Sequence, residues 1–320
     1  MHIIETKGLT KTFKTRRGVV EAVRGVDMSV KKGEIFGFLG PNGAGKTTTL
    51  RMLSTLLEPT GGTALIAGHD LLREPGKVRE KIGYVSQAGG VDVAATGREN
   101  LMLQARLYGM DKSSAKKRAQ EMIVALQMES FADRPARTYS GGQKRRLDIA
   151  LGMSHYPALL FLDEPTTGLD PQSRAHLWEE VRKLRELNTT VFLTTHYLDE
   201  ADALCDRIAI IDGGKIVAEG TPDALKRDVA GDVVHLGIEA HNGTMAKAQT
   251  LLKSQSFVRE LQNEKSGIRL YVESGAGALP NILRILDSEG IELKEISLAR
   301  PSLDDVFLKQ TGRSLRETEE

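Results

Sequence analysis

Residues 40–50, "GPNGAGKTTTL", stand between an apolar run, "EIFGFLG" (34–40), and "TTTLRMLSTLL" (47–57), whose apolar residues recur at helical spacing. The glycines therefore occupy a strand-to-helix turn. That turn matches G-x-x-x-x-G-K-[ST] without a gap, with Gly40, Gly45, Lys46 and Thr47 in the fixed places. Backbone N–H groups in a turn of such small residues can converge on phosphate oxygens, aided by the positive end of the following helix. Asn42, Gly43, Ala44, Gly45, Lys46, Thr47 and Thr48 are the phosphate-binding candidates. Lys46 would reach the outer phosphates as a point charge, and the Thr47 hydroxyl would ligate Mg²⁺. The alternative, a glycine-rich turn with an incidental lysine, does not explain the strand and helix that flank it. The stretch implies a nucleoside triphosphate and leaves open what the energy is used for.

The chain has 320 residues, 40% hydrophobic and 27% charged, which is long enough for two domains with a well-buried core. Lys and Arg number 44 against 43 Asp and Glu, so the formal net charge of +1 offers no overall field for nucleic acid or anionic lipid. Cys205 is the only cysteine. That excludes an internal disulfide and a cysteine-cluster metal site, suits a reducing cytosol, and makes a small buried apolar role the expected one. The first residues, "MHIIETKGLTKTF", lack the apolar core of a signal peptide, and no run approaches the roughly 20 apolar residues of a membrane span. Membrane work is expected to go through a partner.

Outward from the glycine turn, short β-rich runs alternate with helical patterns up to about Arg227, as in an α/β sheet protein. Strands are expected at "EIFGFLG", "IGYVSQ", "ALLFLDE", "TVFLTTH" and "RIAIIDGGKIVAEG", the last with an Asp-Gly-Gly hairpin turn. Between about Thr96 and His155 the pattern is almost wholly helical, which predicts a helical subdomain inserted into the sheet. After "TPDALKRDVAGD" the order becomes βαββαβ, the ferredoxin-like arrangement, closed by a helix over "SLDDVFLKQTG". Domains are thus expected at 1–230, with the helical insert at about 96–155, and at 231–312, followed by a charged tail at 313–320. The second domain carries no cluster of acids, histidines or glycines, and a regulatory or docking module is expected there.

A phosphate loop needs a second element for its metal, and "LLFLDEP" (159–165) supplies an apolar strand ending in Asp163 and Glu164. Asp163 can hold Mg²⁺ through water while Glu164 polarises the attacking water. "YSGGQKRRLDIA" (139–150) then sets a serine, two glycines and a glutamine at the start of a helix, a second anion site made of a hydroxyl and backbone N–H groups. A lone Ser-Gly-Gly is also an ordinary helix cap.

The order "GPNGAGKTT", "VSQ", "YSGGQ", "LLFLDEPTTGLD", "LTTH" resembles the nucleotide-binding subunit of ATP-binding cassette (ABC) proteins over about the first two thirds of the chain. The resemblance implies a P-loop NTPase fold of the ABC ATPase type, ATP and Mg²⁺ as cofactors, and two copies paired head to tail, so that the signature of one closes over the ATP of the other. Carried over by position, Ser140, Gly141, Gly142 and Gln143 would contact the γ-phosphate across that dimer. Gln87 resembles the Q-loop glutamine, which touches Mg²⁺ and the water. His196 resembles the switch histidine, which contacts the γ-phosphate and orders Glu164. Asp170 in "TTGLD" resembles the D-loop aspartate, and Phe13 in "LTKTF", after a short strand, falls where the family stacks a ring on adenine. The metal set implied is Thr47, Gln87 and Asp163. The signature begins with Tyr139 where Leu is commoner, a change outside the phosphate contacts.

"TGRENL" after the Q-loop, "YSGGQKRRLDIAL", the βαββαβ extension and "PSLDDVFLKQTG" resemble the bacterial drug-resistance ATPases of type-2 ABC exporters. That implies a peripheral subunit on the cytoplasmic face of the cell membrane, a separate polytopic permease docking near 96–107, and export of a drug, antibiotic or lipid-like compound. A soluble ABC ATPase acting on nucleic acid would resemble chains with long coiled coils or two cassettes in one polypeptide, and neither occurs here; the balanced charge also argues against a nucleic-acid partner. A P-loop phosphotransferase would need neither the Ser-Gly-Gly signature nor the switch histidine.

Overall fold

The computed structural model describes all residues except 17, 187, 229–230, 239–243, 265–266, 300 and 316–320. Most of the expected charged tail therefore lies outside the described residues. The chain divides into two compact units, Met1–Pro222 and Asp223–Arg316.

The first unit contains strands β1 (His2–Thr15), β2 (Gly18–Lys31), β3 (Ile35–Leu39), β4 (Gly61–Ile66), β5 (His69–Asp70), β6 (Ile82–Val85), β7 (Leu159–Asp163), β8 (Thr190–Thr195), β9 (Arg207–Asp212) and β10 (Lys215–Gly220). Its helices are α1 (Lys46–Leu53), α2 (Pro75–Lys81), α3 (Gly97–Leu107), α4 (Lys112–Ala125), α5 (Gly141–Gly152), α6 (Pro171–Glu186) and α7 (Leu198–Leu204); α8 (Pro222–Asp228) straddles the boundary. One sheet runs β10-β9-β3-β8-β7-β6, parallel except for the β9–β10 hairpin. Every residue of β3, β7 and β8 is buried. Such continuously buried strands suit a parallel sheet covered on both faces. Phe192 of β8 has Phe36, Phe38 and Phe161 ring centroids each 5.6 Å away. Truncating it to Ala would cost about 3–5 kcal/mol, because these rings cannot collapse into the hole. Gly37 in β3 makes room for buried Cys205, whose Sγ would lie 2.6 Å from an added Cβ.

A second sheet, β2-β1-β4-β5, is antiparallel. Its long β1–β2 pair was not among the strands expected from the sequence. Four register shifts interrupt its pairing, so the alternation that marks a strand loses phase along it. Phe13 consequently lies inside a 14-residue strand, opposite Val20, and does not follow a short one.

Between β6 and β7 the chain is helical. Thr96 caps α3 through a reciprocal box with Glu99, Asp111 caps α4, and Ser140 caps α5. Each side-chain oxygen takes a backbone N–H that the first helical turn leaves without a partner.

The second unit holds β11 (Asp232–Ile238), α9 (Thr244–Lys253), β12 (Val258–Glu264), β13 (Gly267–Val272), α10 (Gly275–Ser288), β14 (Leu293–Ala299) and α11 (Leu303–Thr311). The strands order as β12-β13-β11-β14, all antiparallel, which is the ferredoxin-like arrangement. Val234, Leu236, Ile268, Leu270 and Val272 pack with Ala248 and Leu252 of α9 and Ala278, Ile282 and Leu286 of α10. Tyr271 and Arg269 turn to the opposite face and bond Asp305 of α11.

Candidate functional site

The glycine turn joins the carboxyl end of β3 to α1. Gly43 and Gly45 have φ of 80° and 105°, values only glycine adopts at little cost. Added Cβ atoms at Gly40 and Gly45 would lie 2.2 Å from the Ile211 carbonyl oxygen and 2.5 Å from that of Ala22. The turn is thus wedged between β9 and β2, and no side chain caps α1. Ala22 follows Val20, the partner of Phe13, by two residues, so the exposed Phe13 ring stands a short way along the same strand pair.

Lys46, the first residue of α1, is 4% exposed. Its Nζ donates to the carbonyls of Gly40 (2.7 Å) and Pro41 (3.1 Å) and lies 3.3 Å from Glu164 Oε1. His196, just past β8, brings Nδ1 within 3.3 Å of Glu164 Oε2. Hydrogen bonding to His196 is the main cause that holds the Glu164 carboxyl down at about 2, with Lys46 adding to it against the cost of burial. Glu164 is an anion at neutral pH. Its φ of 45° is a left-handed value for a residue with a Cβ, which costs on the order of 1 kcal/mol. Bonds from Glu164 N to the Thr194 hydroxyl (3.0 Å) and carbonyl (3.2 Å) hold it there.

Asp163 ends β7 beside Thr194 of β8. Its Oδ1 accepts from Thr194 Oγ1 at 2.7 Å and Thr47 Oγ1 at 3.1 Å. The carboxylate and the Thr47 hydroxyl converge, and both are hard oxygen donors of the kind Mg²⁺ takes. Among the described residues, no three His, Cys, Asp or Glu are grouped to hold a metal; Mg²⁺ bound by one carboxylate and substrate phosphates needs no such group. Gln87 follows β6 and lines a cleft of about 340 Å³ together with Gly141 and Glu164.

The other named residues have local partners. Ser140 N donates to Gln143 Oε1 (3.1 Å) and Gln143 N to Ser140 Oγ (3.3 Å), a capping box at the start of α5. Asp170 accepts from Ser173 N (2.9 Å) and Ser173 Oγ (2.6 Å) ahead of α6, and those bonds lower its carboxyl pKa. Leu169 sits 3.5 Å from where a Cβ on Gly141 would lie. Tyr139 is buried; its hydroxyl donates to the Phe131 carbonyl (2.7 Å) and accepts from Gly97 N (3.2 Å), tying the first turn of α3 to the residue before Ser140.

Two groups are not legible in the sequence. Thr194 holds both acids at the end of β7, and "LTTH" shows its place without its partner. Arg145 and Asp148 lie on the buried face of α5; a charged pair at i, i+3 on an otherwise apolar face was the available signal.

The likeness to known proteins covers this site and the second unit. Residues 23–167 match the family described as ABC transporter, and 220–311 match that described as ATP-binding protein DrrA1-3-like, C-terminal domain. A solved structure of a dimeric ATP-binding cassette in a post-hydrolysis state, bound to ADP and Pi, aligns with TM-score 0.62 at 29% identity over 68% of this chain and 98% of its own. The linearmycin resistance ATP-binding protein LnrL of Bacillus subtilis is 36% identical over 96% of this chain and 99% of its own. The daunorubicin/doxorubicin resistance ATP-binding protein DrrA of Streptomyces peucetius is 44% identical over 99% of this chain and 95% of its own. Likeness of that extent runs from the β1–β2 pair through α11, and the chain belongs to the ABC transporter ATP-binding family, with ATP binding and hydrolysis as its activity.

Proposed function

We propose that two copies of this chain pair head to tail and, through a separate permease, drive export of a drug, antibiotic or lipid-like compound from the cytoplasmic face of the membrane. The observation that carries the catalytic part is Glu164, held as an anion between Lys46 and His196 at the end of β7. The phosphates of ATP would lie over Gly43 to Thr48 at the start of α1. Lys46, now spent on the Gly40 and Pro41 carbonyls and on Glu164, would turn to the β- and γ-phosphates. Its departure removes one charge from Glu164 and makes the carboxylate a better base. Water oxygen then bonds to the γ-phosphorus as the bond to the β–γ bridging oxygen breaks; the water proton passes to a Glu164 carboxylate oxygen, and ADP and phosphate leave. His196 orients that carboxylate. Thr47, Asp163 and Gln87 would hold Mg²⁺, which supplies neutralisation of the phosphate charge.

In the pair, Ser140, Gly141 and Gly142 of one copy would meet the γ-phosphate bound to the other. The capping box uses the Ser140 N–H and the Gln143 N–H, so the serine hydroxyl and the two glycine N–H groups form the donor set for an anion. Charge-assisted bonds to the γ-phosphate close the pair, and phosphate loss releases it. Asp170 would lie at that interface. Phe13 would stack on adenine.

Among the described residues no helix is long and apolar enough to cross a membrane. The exposed Leu103 and Leu107 of α3 (57% and 73%) offer an apolar strip for the permease at 96–107. The 231–312 domain would steady the pair. The resistance proteins aligned above are named for daunorubicin, doxorubicin and linearmycin, and this chain is proposed to serve the same chemical breadth.

The test is Glu164→Gln mixed with Mg-ATP and followed by gel filtration, alongside copurification of a polytopic membrane protein. An ATP-dependent pair and a retained permease are expected. A chain that stays monomeric with ATP even beside the permease would overturn the composite site.

A further inference from the structure

We infer that Arg145 and Asp148 of α5 are positioning residues that lock Gln87 and Glu164 to the signature helix of the same chain. The inference rests on the roles proposed above for those two residues. Arg145 is 7% exposed, and its guanidinium donates to three backbone carbonyls: Nη1 to Ser86 (2.7 Å), Nε to Pro165 (2.8 Å) and Nη2 to Asp163 (3.1 Å). Ser86 precedes Gln87, and Asp163 and Pro165 flank Glu164. One side chain therefore grips both catalytic segments, although they leave different strands.

Asp148 takes the far end of the Gln87 loop. Its Oδ1 accepts from Gly90 N at 2.8 Å. Gly89, at φ 77°, presents no Cβ to the carboxylate, whose Oδ2 would be only 2.8 Å away. Residues 86–90 thus hang from one face of α5 by both ends. The planar guanidinium fork serves three carbonyls at once, which the compact ammonium of a lysine cannot do. All the accepting groups on the Arg145 side are backbone oxygens, so the grip is on the path of the chain itself.

The consequence is mechanical. α5 is capped by Ser140, the residue proposed to meet the partner's nucleotide, and Arg145 stands little more than one turn further on. A tilt of α5 as the pair closes must move Gln87 and Glu164 of its own chain together. Arg145 spends its guanidinium and Asp148 its Oδ1 on backbone groups, so both act through Gln87 and Glu164.

Full-length protein tests this by Mg-ATP hydrolysis and amide hydrogen exchange. Arg145→Met is expected to lower kcat about 10- to 100-fold while KM for ATP stays within about twofold, the pattern of a group that matters only in the transition state. Exchange should rise in 86–90 and 163–166 together. Asp148→Ala should raise exchange in 86–90 alone and lower kcat less, and Asp148→Asn, whose amide oxygen still accepts from Gly90 N, should restore both. Wild-type kcat in Arg145→Met overturns the inference, as does exchange that rises throughout the chain with KM rising in step. If Arg145→Met does not fold, the Asp148 pair decides, and equal kcat in the Ala and Asn variants overturns it. Glu164→Gln separates the two layers. Undiminished hydrolysis there removes the underlying assignment, whereas a dead Glu164→Gln beside a normal Arg145→Met removes only the positioning role.

Discussion

The starts of α1 and α5 both offer backbone N–H groups to an anion, yet they are built in opposite ways. At α1 the cap position is Gly45, no side chain closes the turn, and buried Lys46 faces Glu164, whose other carboxylate oxygen meets His196. At α5 a serine and a glutamine three residues apart satisfy each other, and Gly141 is exposed. The first start collects charged groups from the ends of three strands and cannot exist without the sheet. The second is complete within four residues of chain; Lys144 N closes its first turn on the Ser140 carbonyl (2.9 Å), and the Arg134 guanidinium donates to Gln143 Oε1 (3.3 Å). Two starts so differently built would complement each other in the pocket proposed above to be shared between two copies.

The strongest way to break this contrast is at the charged end. Glu164→Gln should lower hydrolysis by about 10²- to 10⁴-fold, the usual worth of a positioned general base, while ATP binding measured by calorimetry persists. Activity within a few-fold of wild type would leave α1 without its chemistry. Acid should expose the same group next. Its folded pKa of about 2 lies below the 4.5 ordinary for a glutamate, so its stabilisation is fully present above about pH 4.5 and is lost as pH falls toward about 2. The loss is on the order of 3 kcal/mol. Urea midpoints should fall across that window more steeply in wild type than in Glu164→Gln; identical slopes would contradict the ion cluster.

Lys46→Ala should weaken ATP binding to the single chain by about 10- to 100-fold, the value of charge-assisted hydrogen bonds of about 1.5–3 kcal/mol. Unchanged affinity would deny Lys46 its phosphate. Ser140→Ala sharpens the other side, and its effect is the smallest. Loss of the cap costs about 1 kcal/mol. Single-chain ATP affinity should be untouched, and only ATP-driven pairing, followed by light scattering, should need more protein. An altered affinity in the monomer would mean that α5 serves its own nucleotide.

What the sequence determined by itself is whatever rests on near neighbours in the chain. The glycine turn between strand and helix, the serine box at 140–143, the strands leading into Asp163 and His196, and the βαββαβ order of the second unit all follow from spacing, because capping, turn formation and strand or helix period act over a few residues. Tertiary structure alone decided who faces whom. Thr194 reaches Asp163 across 31 residues, and Arg145 reaches Ser86 across 59. Tyr139 meets Gly97, where a Cβ would lie 2.5 Å from its hydroxyl. The long β1–β2 pair with Phe13 inside it belongs to the same class, since its shifted register hides the alternation. The physical reason is that a buried polar group must find a partner, and the packing of the sheet against α5, not the local sequence, selects which carbonyl or carboxylate is in reach.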